Sequence, residues 1–224
     1  MNLLDHVEAV TFDVGGTLIR PWPSVGHVYS EVAAGCGVEG ISPEVLNLQF
    51  AAAWANLKNF NHGRGEWAAL VDTTFAGLTK QLPSETFFPE LYDRFASPDV
   101  WRAYDDVAPA VDALASRGIQ LGIVSNWDDR LRPILDGLGL SKYFEAIIVS
   151  CEVAFPKPSP VIFEHASKKL GMAPQFILHV GDRADHDVAG AKSAGFQSVL
   201  LERGGKEPKR DRLIHSLAQL EGQA

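Results

Sequence analysis

Short apolar segments alternate with helix-like segments over the second half of the sequence. The apolar segments are five residues long and rich in valine, isoleucine and leucine, as expected of strands buried on both faces. These predicted strands are Gln120–Val124, Ala146–Ser150, Phe176–Val180 and Gln197–Leu201. The predicted helices around them are Val107–Arg117, Asp129–Leu138, Ser159–Leu170, Asp185–Ala194 and Leu213–Leu220. This alternation predicts an α/β fold, a doubly wound parallel sheet covered by helices on both faces.

An earlier apolar segment, Val10–Phe12, predicts the first strand of this sheet. Asp13 ends the apolar run abruptly, and Gly15 and Gly16 follow as a pair that turns the chain easily. A lone carboxylate at the carboxyl end of a first parallel strand lies where open α/β sheets bind ligands. Asp13 could instead hydrogen-bond only to its own turn. It is therefore a candidate catalytic residue whose partners must come from the other strand ends.

Residues 22–101 have a helical pattern and contain no strand-like run. The predicted helices are Val25–Ala34, Pro43–Phe60, Glu66–Leu82 and Ser84–Ala96. Pro43 and Glu44 suit a first helical turn, and glycine-rich breaks separate the helices. We therefore predict an α-helical domain at 22–101, inserted after the first strand of an α/β domain formed by 1–21 and 102–224.

Composition favours a globular protein and disfavours nucleic-acid-binding, membrane-spanning and secreted proteins. Of the 224 residues, 46% are hydrophobic and 21% are charged, which is typical of a globular protein. The formal net charge of −8 disfavours nucleic acid as a partner, because proteins that bind nucleic acid usually carry a basic patch. No apolar run approaches the ~20 residues that span a bilayer, and the N-terminus lacks the pattern of a signal peptide. With Cys36 and Cys151 as the only cysteines, we expect a cytoplasmic protein with reduced thiols and no membrane partner.

Acidic residues follow the fourth predicted strand. Gly181 and Asp182 come directly after it, and Asp185 and Asp187 lie a few residues further on. Carboxylates crowded on a tight turn suit a hard cation such as Mg²⁺, which prefers oxygen ligands and keeps some of its waters. Capping of the next helix is the alternative role for such residues. His179, inside the apolar strand itself, is predicted to be a hydrogen-bonded core residue and not a metal ligand.

Two other strand ends carry residues that bind anionic oxygens. Ser125 and Asn126 follow the second strand and offer hydrogen-bond donors, although a helix cap or turn is their alternative role. Lys157 lies between two prolines in the loop after the third strand, so its ammonium extends from a stiff segment. Because the carboxyl ends of parallel strands share one edge of a sheet, we expect these residues to meet Asp13 and the acidic turn. A nucleophile, a cation site and oxygen-binding donors are what phosphoryl transfer requires.

The same residues resemble the motifs of the haloacid-dehalogenase-like (HAD) hydrolase superfamily. The stretch DVGGTL resembles its first motif, D-x-D-G-T-L, and GDRADHD resembles its fourth. Ser125-Asn126 resembles the second motif, and Lys157 the third. The order of the motifs matches over the whole chain, and the helical insertion resembles the cap of one subgroup. The resemblance implies a hydrolase with a Rossmann-like core and a helical cap.

The resemblance also implies a mechanism and a set of ligands. Asp13 would attack phosphorus and form an aspartyl-phosphate, with a phosphate ester or acyl phosphate of a small molecule as substrate. Ser125 and Asn126 would bind phosphoryl oxygens, and Lys157 would offset charge on the nucleophile and the phosphate. The implied Mg²⁺ ligands are Asp13, the Gly15 carbonyl, Asp182 and, through water, Asp187.

One position departs from the family pattern. The second aspartate of the first motif, which usually serves as general acid and base, is replaced by Gly15. Gly15 keeps a backbone carbonyl but has no side chain to donate a proton. A positioned acid–base group contributes ~10²–10⁴-fold to rate. We therefore expect a phosphatase that is weakened at the step that protonates the leaving group.

Two other functions fit parts of the sequence. The dehalogenases of the superfamily also lack the second aspartate, because a halide leaves without a proton, and Arg20 and Arg64 could bind a substrate carboxylate. The acidic turn at Asp182 disfavours this interpretation, because those enzymes use no metal. A binding or regulatory protein that keeps the pocket without turnover is the second alternative, and Gly15 is its one support.

Overall fold

The computed structural model describes residues 3–57, 60–205 and 212–221. Its strands, in chain order, are β1 (Ala9–Phe12), β2 (Ile19–Pro21), β3 (Trp101–Ala103), β4 (Gln120–Ser125), β5 (Ala146–Val149), β6 (Ile177–Gly181), β7 (Gln197–Leu201) and β8 (Leu213–Ile214). Its α-helices are α1 (Val25–Gly35), α2 (Pro43–Ala55), α3 (Arg64–Thr74), α4 (Phe88–Arg94), α5 (Val107–Ser116), α6 (Leu131–Gly137), α7 (Ser150–Val153), α8 (Pro160–Leu170) and α9 (Ala189–Ser193). The chain divides into two compact units: Met1–Arg20, Ala103–Asp129 and Gly139–Ala224 form the first, and Pro21–Arg102 and Arg130–Leu138 form the second.

β1 lies at the centre of a six-stranded parallel sheet in the first unit, whose order is β5-β4-β1-β6-β7-β8. Within β1, Phe12 pairs with Ile123 of β4 on one side and with Val180 of β6 on the other. The next residue, Asp13, still donates its backbone N–H to the Val180 carbonyl at 2.9 Å. β4 and β5 lie on one side of β1, and β6, β7 and β8 lie on the other, so Asp13 lies at the switch point where doubly wound sheets bind ligands.

The sheet is stabilised by apolar side chains on its strands and on the helices that pack against it. α8 packs against β4 and β5. Its residues Ile162, Phe163 and Ala166 are fully buried, at the spacing of one helix face. Burying each of the larger two contributes ~1.5–3 kcal/mol to the free energy of unfolding. The prediction of an α/β fold built on a parallel sheet is confirmed.

The second unit has a hydrophobic core of its own, to which α1 to α4 contribute. Tyr29 of α1 lies within it, and its ring centroid is 5.8 Å from those of Phe75 and Phe95 and 5.9 Å from that of Phe50. These separations suit stacked and edge-to-face aromatic pairs, which stabilise a core beyond the area they bury. The helical character predicted for this part of the chain follows from such a core, because each helix presents one apolar face to it.

The segment Arg130–Leu138, which contains α6, belongs to the second unit. Gly137 lies so close to Pro98 that the proline ring leaves no room for a Cβ. The Arg130 guanidinium lies 3.7 Å from the Tyr92 ring centroid and donates to the Tyr92 carbonyl at 3.0 Å. The predicted bounds assigned this segment to the α/β domain, because helical periodicity does not tell which core a helix packs against.

In the second unit α2, α3 and α4 are shorter than predicted; α4 covers Phe88–Arg94, whereas the prediction was Ser84–Ala96. α2 ends at Ala55, whereas the prediction ran to Phe60; of that remainder, residues 58 and 59 lie outside the described part of the chain. α3 ends at Thr74, whereas the prediction ran to Leu82. Gly77 follows with a left-handed φ of 76°, which a glycine adopts without the cost that other residues incur.

Near the C-terminus the prediction of a last helix is wrong. Leu213 and Ile214 form β8 and pair in parallel with Leu200 and Leu201 of β7. Only Leu217–Glu221 is helical, and it is a 3₁₀ turn. Leucine and isoleucine suit a strand as well as a helix. Residues 213 and 214 form a strand because β7 offers backbone groups with which they can pair.

Two properties expected from composition can be compared with the structure. Cys36 and Cys151 are exposed and form no disulfide. Among the described residues, no helix is both long and apolar enough to cross a bilayer. α2 has 13 residues and is therefore about 20 Å long, against a hydrocarbon core of about 30 Å.

Candidate active site

Asp13 is buried at the end of β1, with 8% of its surface exposed. The turn after it leaves space for a second carboxylate. Gly16 has a φ of 77°, and a Cβ at this position would collide with the Asp182 carboxylate. Glycine at position 16 is therefore required both by the backbone and by the close approach of Asp182 to the turn.

Lys157 lies between the carboxylates of Asp13 and Asp187 and is 4% exposed. Its Nζ atom is 2.6 Å from Asp13 Oδ1 and 2.6 Å from Asp187 Oδ1. Burial opposes the charged form of the amine, but the two carboxylates outweigh it and raise the pKa of Lys157 above its usual value. The ammonium thus bridges the two carboxylates, and their charges favour its protonated form.

Asn126 holds the Lys157 backbone. Its Nδ2 atom donates to the Lys157 carbonyl at 3.0 Å, and its Oδ1 atom accepts the Lys157 N–H at 2.6 Å. The amide therefore orients the lysine loop in this structure, whereas the sequence suggested contact with phosphoryl oxygens. Its neighbour Ser125 donates its hydroxyl to Asp13 Oδ1 at 3.1 Å, so this part of the motif does reach the proposed nucleophile.

Asp187 is held by hydrogen bonds to both of its oxygens. Oδ2 accepts the Arg183 N–H at 2.9 Å, and Oδ1 accepts Lys157 and also lies 3.1 Å from His179 Nε2. Burial alone would raise the pKa of Asp187, but the Lys157 ammonium and the His179 contact hold it well below its usual value. Gly181 makes this approach possible, because a Cβ there would collide with the carboxylate.

His179 is the buried, hydrogen-bonded core residue that the sequence predicts, at 1% exposure. Its Nδ1 atom lies 3.0 Å from Thr11 Oγ1, and its Nε2 atom contacts Asp187. Burial lowers the pKa of His179, which favours the neutral ring. The prediction does not include its link to Asp187, although a polar residue two positions before Gly181 in an apolar strand is a usable signal for one.

Three carboxylates converge beside the ammonium. One oxygen from each of Asp13, Asp182 and Asp187 lies within 4.8 Å of the others. Burial and the two neighbouring carboxylates raise the pKa of Asp182 to about 7. Asp185 lies outside the group: it is exposed, and its carboxylate pairs with the Arg183 guanidinium at 3.0 and 3.1 Å.

Gly15 lies on the loop that follows Asp13, and Arg20 lies in β2, the next strand. A Cβ at Gly15 would contact the Trp127 ring. The Arg20 guanidinium lies 5.5 Å from the Tyr104 ring centroid, and its proposed contact with substrate stays a prediction.

Arg203 supports the same loop and was not identified from the sequence. Its Nε and Nη2 atoms donate to the Thr17 carbonyl at 3.2 and 2.7 Å. Its guanidinium also makes two 3.0 Å hydrogen bonds to the Asp106 carboxylate and lies 3.7 Å from the Tyr104 ring centroid. Paired hydrogen bonds from a planar guanidinium hold the Asp106 carboxylate in one orientation. The sequence around Arg203 contains no pattern that predicts this pair.

Comparison with known proteins identifies the family of this chain. A model of the haloacid dehalogenase-like hydrolase family matches residues 7–195. The chain is 33% identical over 214 residues to haloacid dehalogenase-like hydrolase domain-containing protein 3 of Bos taurus, covering 91% of this chain and 84% of the relative. The chain belongs to the haloacid dehalogenase-like hydrolase family. The resemblance inferred from the four motifs is thereby confirmed.

Members of this hydrolase family that resemble the chain include phosphatases. Phosphoglycolate phosphatase of Shigella boydii is 27% identical over 215 residues, covering 91% of this chain and 84% of that protein. The crystal structure of a HAD phosphatase from Thermococcus onnurineus has a TM-score of 0.66 and 26% identity, with 96% of each chain covered. The chain is therefore a HAD-like hydrolase with phosphatase relatives.

Proposed function

We propose that this HAD-like hydrolase is a Mg²⁺-dependent phosphatase that transfers a phosphoryl group to Asp13. One observation carries the proposal: Asp13, at the end of the central strand, contacts both Lys157 and Ser125 and lies within 4.8 Å of two further carboxylates. A nucleophile beside a fixed cation and a cation-binding acidic group suits a substrate that carries negative charge at its reacting centre. The helical unit would act as the cap that selects the small-molecule phosphate ester or acyl phosphate.

Contacts to Asp13 Oδ1 orient the nucleophile. Ser125 and Lys157 both bind this oxygen, which holds the carboxylate in one rotation and leaves Oδ2 to attack phosphorus. As the bond between Oδ2 and phosphorus forms, the bond from phosphorus to the leaving oxygen breaks, and that oxygen keeps the electron pair. Because Gly15 has no acid to offer, solvent protonates the oxygen after it leaves. Water then attacks phosphorus, the bond from phosphorus to Oδ2 breaks, and the proton of the water passes to solvent, so that phosphate leaves and the Asp13 carboxylate is restored.

The charges of the cluster support a divalent cation. Asp13, Asp182 and Asp187 carry up to three negative charges, and Lys157 supplies one positive charge. The remaining two negative charges match one Mg²⁺, which prefers carboxylate oxygens and water. Asp13, Asp182 and the Gly15 carbonyl would bind it directly, and Asp187 would bind it through water. The ion would supply charge neutralisation at the phosphoryl oxygens.

Turnover of an activated ester tests the proposal against its alternatives. We expect hydrolysis of para-nitrophenyl phosphate in millimolar Mg²⁺ and its loss in EDTA. Release of chloride from a 2-chloroacid without Mg²⁺ would instead support a dehalogenase, whose leaving halide needs no acid at position 15. Absence of both activities, with binding of phosphate retained, would indicate a regulatory protein.

Mg²⁺ is expected to raise the melting temperature. A ligand at about 100 times its Kd adds ~2.7 kcal/mol to the free energy of unfolding, which in a protein of this size is about 5 °C or more. Asp182→Asn should remove most of the rise, because it removes a proposed direct ligand. The measurement is a thermal melt of each protein with and without Mg²⁺.

The matched control for this melt is Asp185→Asn, which removes an exposed carboxylate from the same loop. Its response to Mg²⁺ should equal that of the unmodified protein. If Asp182→Asn also keeps the full rise, the proposed metal site is wrong.

The rate of phosphoryl transfer is expected to depend steeply on the leaving group. Without an acid at position 15, the leaving oxygen must depart as an anion, which aryl and acyl phosphates tolerate and alkyl phosphates do not. Across substituted aryl and alkyl phosphates, kcat/KM should fall as the pKa of the leaving group rises. A flat dependence would mean that another group supplies the proton.

A further inference from the structure

The space beside Gly15 is filled by an aromatic ring. A Cβ built on Gly15 would lie 3.1 Å from Cζ3 and 3.8 Å from Cη2 of Trp127. The shorter distance is tighter than ordinary van der Waals contact, so the ring must move to admit even a methyl group. The backbone of Gly15, unlike that of Gly16, does not have a left-handed φ. The obstacle to a side chain at position 15 is therefore the indole and not the backbone conformation.

Hydrogen bonds to the Trp127 backbone fix the loop that carries the indole. The backbone N–H of Trp127 donates to Ser150 Oγ at 3.1 Å, and its carbonyl lies 3.1 Å from the same hydroxyl. The Cys151 N–H donates to that carbonyl at 3.3 Å. Ser150 is 5% exposed, and Asn126, the residue before Trp127, is tied to the Lys157 backbone. The loop that carries the indole is thus connected both to α7 and to the lysine of the site.

We infer that Trp127 keeps an acidic side chain from acting at position 15, because the indole occupies the space that such a side chain would need. The inference rests on the proposed function, since it concerns the leaving group of the transfer to Asp13. The indole N–H is far too weak an acid to protonate a leaving oxygen, and the ring is apolar. The preferred substrates are therefore phosphates of acidic leaving groups, the aryl and acyl phosphates.

Kinetics of four proteins test this inference: the unmodified enzyme, Gly15→Asp, Trp127→Ala and the double variant. The quantity compared is the ratio of kcat/KM for an alkyl phosphate to kcat/KM for an aryl phosphate, in which general damage to the site largely cancels. We expect each single variant to change the ratio by less than about threefold. Gly15→Asp adds an acid that the indole keeps out of position, and Trp127→Ala opens the space but adds no acid. The double variant should raise it by ~10²-fold. An equal rise in Gly15→Asp alone would overturn the inference, as would no rise in a folded double variant.

Thermal stability gives a second test that needs no activity. Gly15→Ala should lower the melting temperature by about 3 °C or more, because the methyl group is forced against the ring. In the Trp127→Ala background the same change should have no effect or raise the melting temperature, since alanine restricts the unfolded chain at a compatible φ. Equal losses in both backgrounds would mean that the indole does not exclude the side chain.

The outcomes separate this inference from the proposed function. Failure to detect phosphate on Asp13 in any variant would refute the phosphatase and, with it, the leaving-group specificity. Phosphate on Asp13 together with an unchanged ratio in the double variant would refute the role of Trp127 alone.

Discussion

Replacing Asp13 by asparagine is expected to reduce kcat by at least ~10⁴-fold while the protein remains folded. An amide is a very poor nucleophile, and its Oδ1 atom can still accept hydrogen bonds from Ser125 and Lys157. The ammonium keeps its contact with Asp187, so the cluster does not lose all its ion pairs. The measurement is steady-state hydrolysis of para-nitrophenyl phosphate in Mg²⁺, with a thermal melt to verify folding.

Asp185→Asn is again the matched control, and it should keep the kcat of the unmodified enzyme. Its carboxylate pairs with Arg183 at the surface and has no part in the proposed chemistry. Turnover by Asp13→Asn at the unmodified rate would show that another residue is the nucleophile.

Lys157→Met is expected to impair both stability and turnover. Removing one partner of a buried ion pair leaves uncompensated charge and costs ~3–5 kcal/mol, so the melting temperature without Mg²⁺ should fall by about 6 °C or more. Mg²⁺ should restore part of the loss, because it can offset the same carboxylates. We expect kcat/KM to fall by ~10²–10³-fold, since a fixed charge beside the transferred group is lost.

Lys168→Met is the control for this variant, because Lys168 is exposed in the last turn of α8. It should change neither the melting temperature nor kcat/KM appreciably. A Lys157→Met protein that melts and turns over like this control would contradict a central role for the ammonium.

Much of the sheet and the meeting of the site residues could be predicted from sequence. Apolar five-residue runs identify strands without knowledge of their partners, and the prediction for Gln197–Leu201 matches β7 at both ends. Asp13 and Asp182 directly follow β1 and β6, and Ser125 is the last residue of β4. These three parallel strands are adjacent, so topology alone brings the residues to one edge. Lys157 reaches the same edge from the loop between α7 and α8.

The contacts that position the loops around the site could not be predicted, because they join residues far apart in sequence. The amide of Asn126 binds the backbone of Lys157, 31 positions away, and Arg203 binds Thr17 across 186 positions. The Trp127 ring lies beside Gly15 only because the loop after β4 turns toward β1. A sequence motif predicts which functional side chains are present at the site. It does not predict these long-range contacts, because they depend on how neighbouring loops pack.

The most direct test of the account is to look for phosphate on Asp13 itself. The enzyme is mixed with an acyl phosphate in Mg²⁺, quenched in acid within the first turnover, and digested for mass spectrometry. With no group to activate water at position 15, hydrolysis of the proposed aspartyl-phosphate should be slow, so we expect a phosphorylated peptide that contains Asp13 and a burst of the released acid. Turnover without any phosphorylated peptide, or phosphate on another residue, would contradict the account.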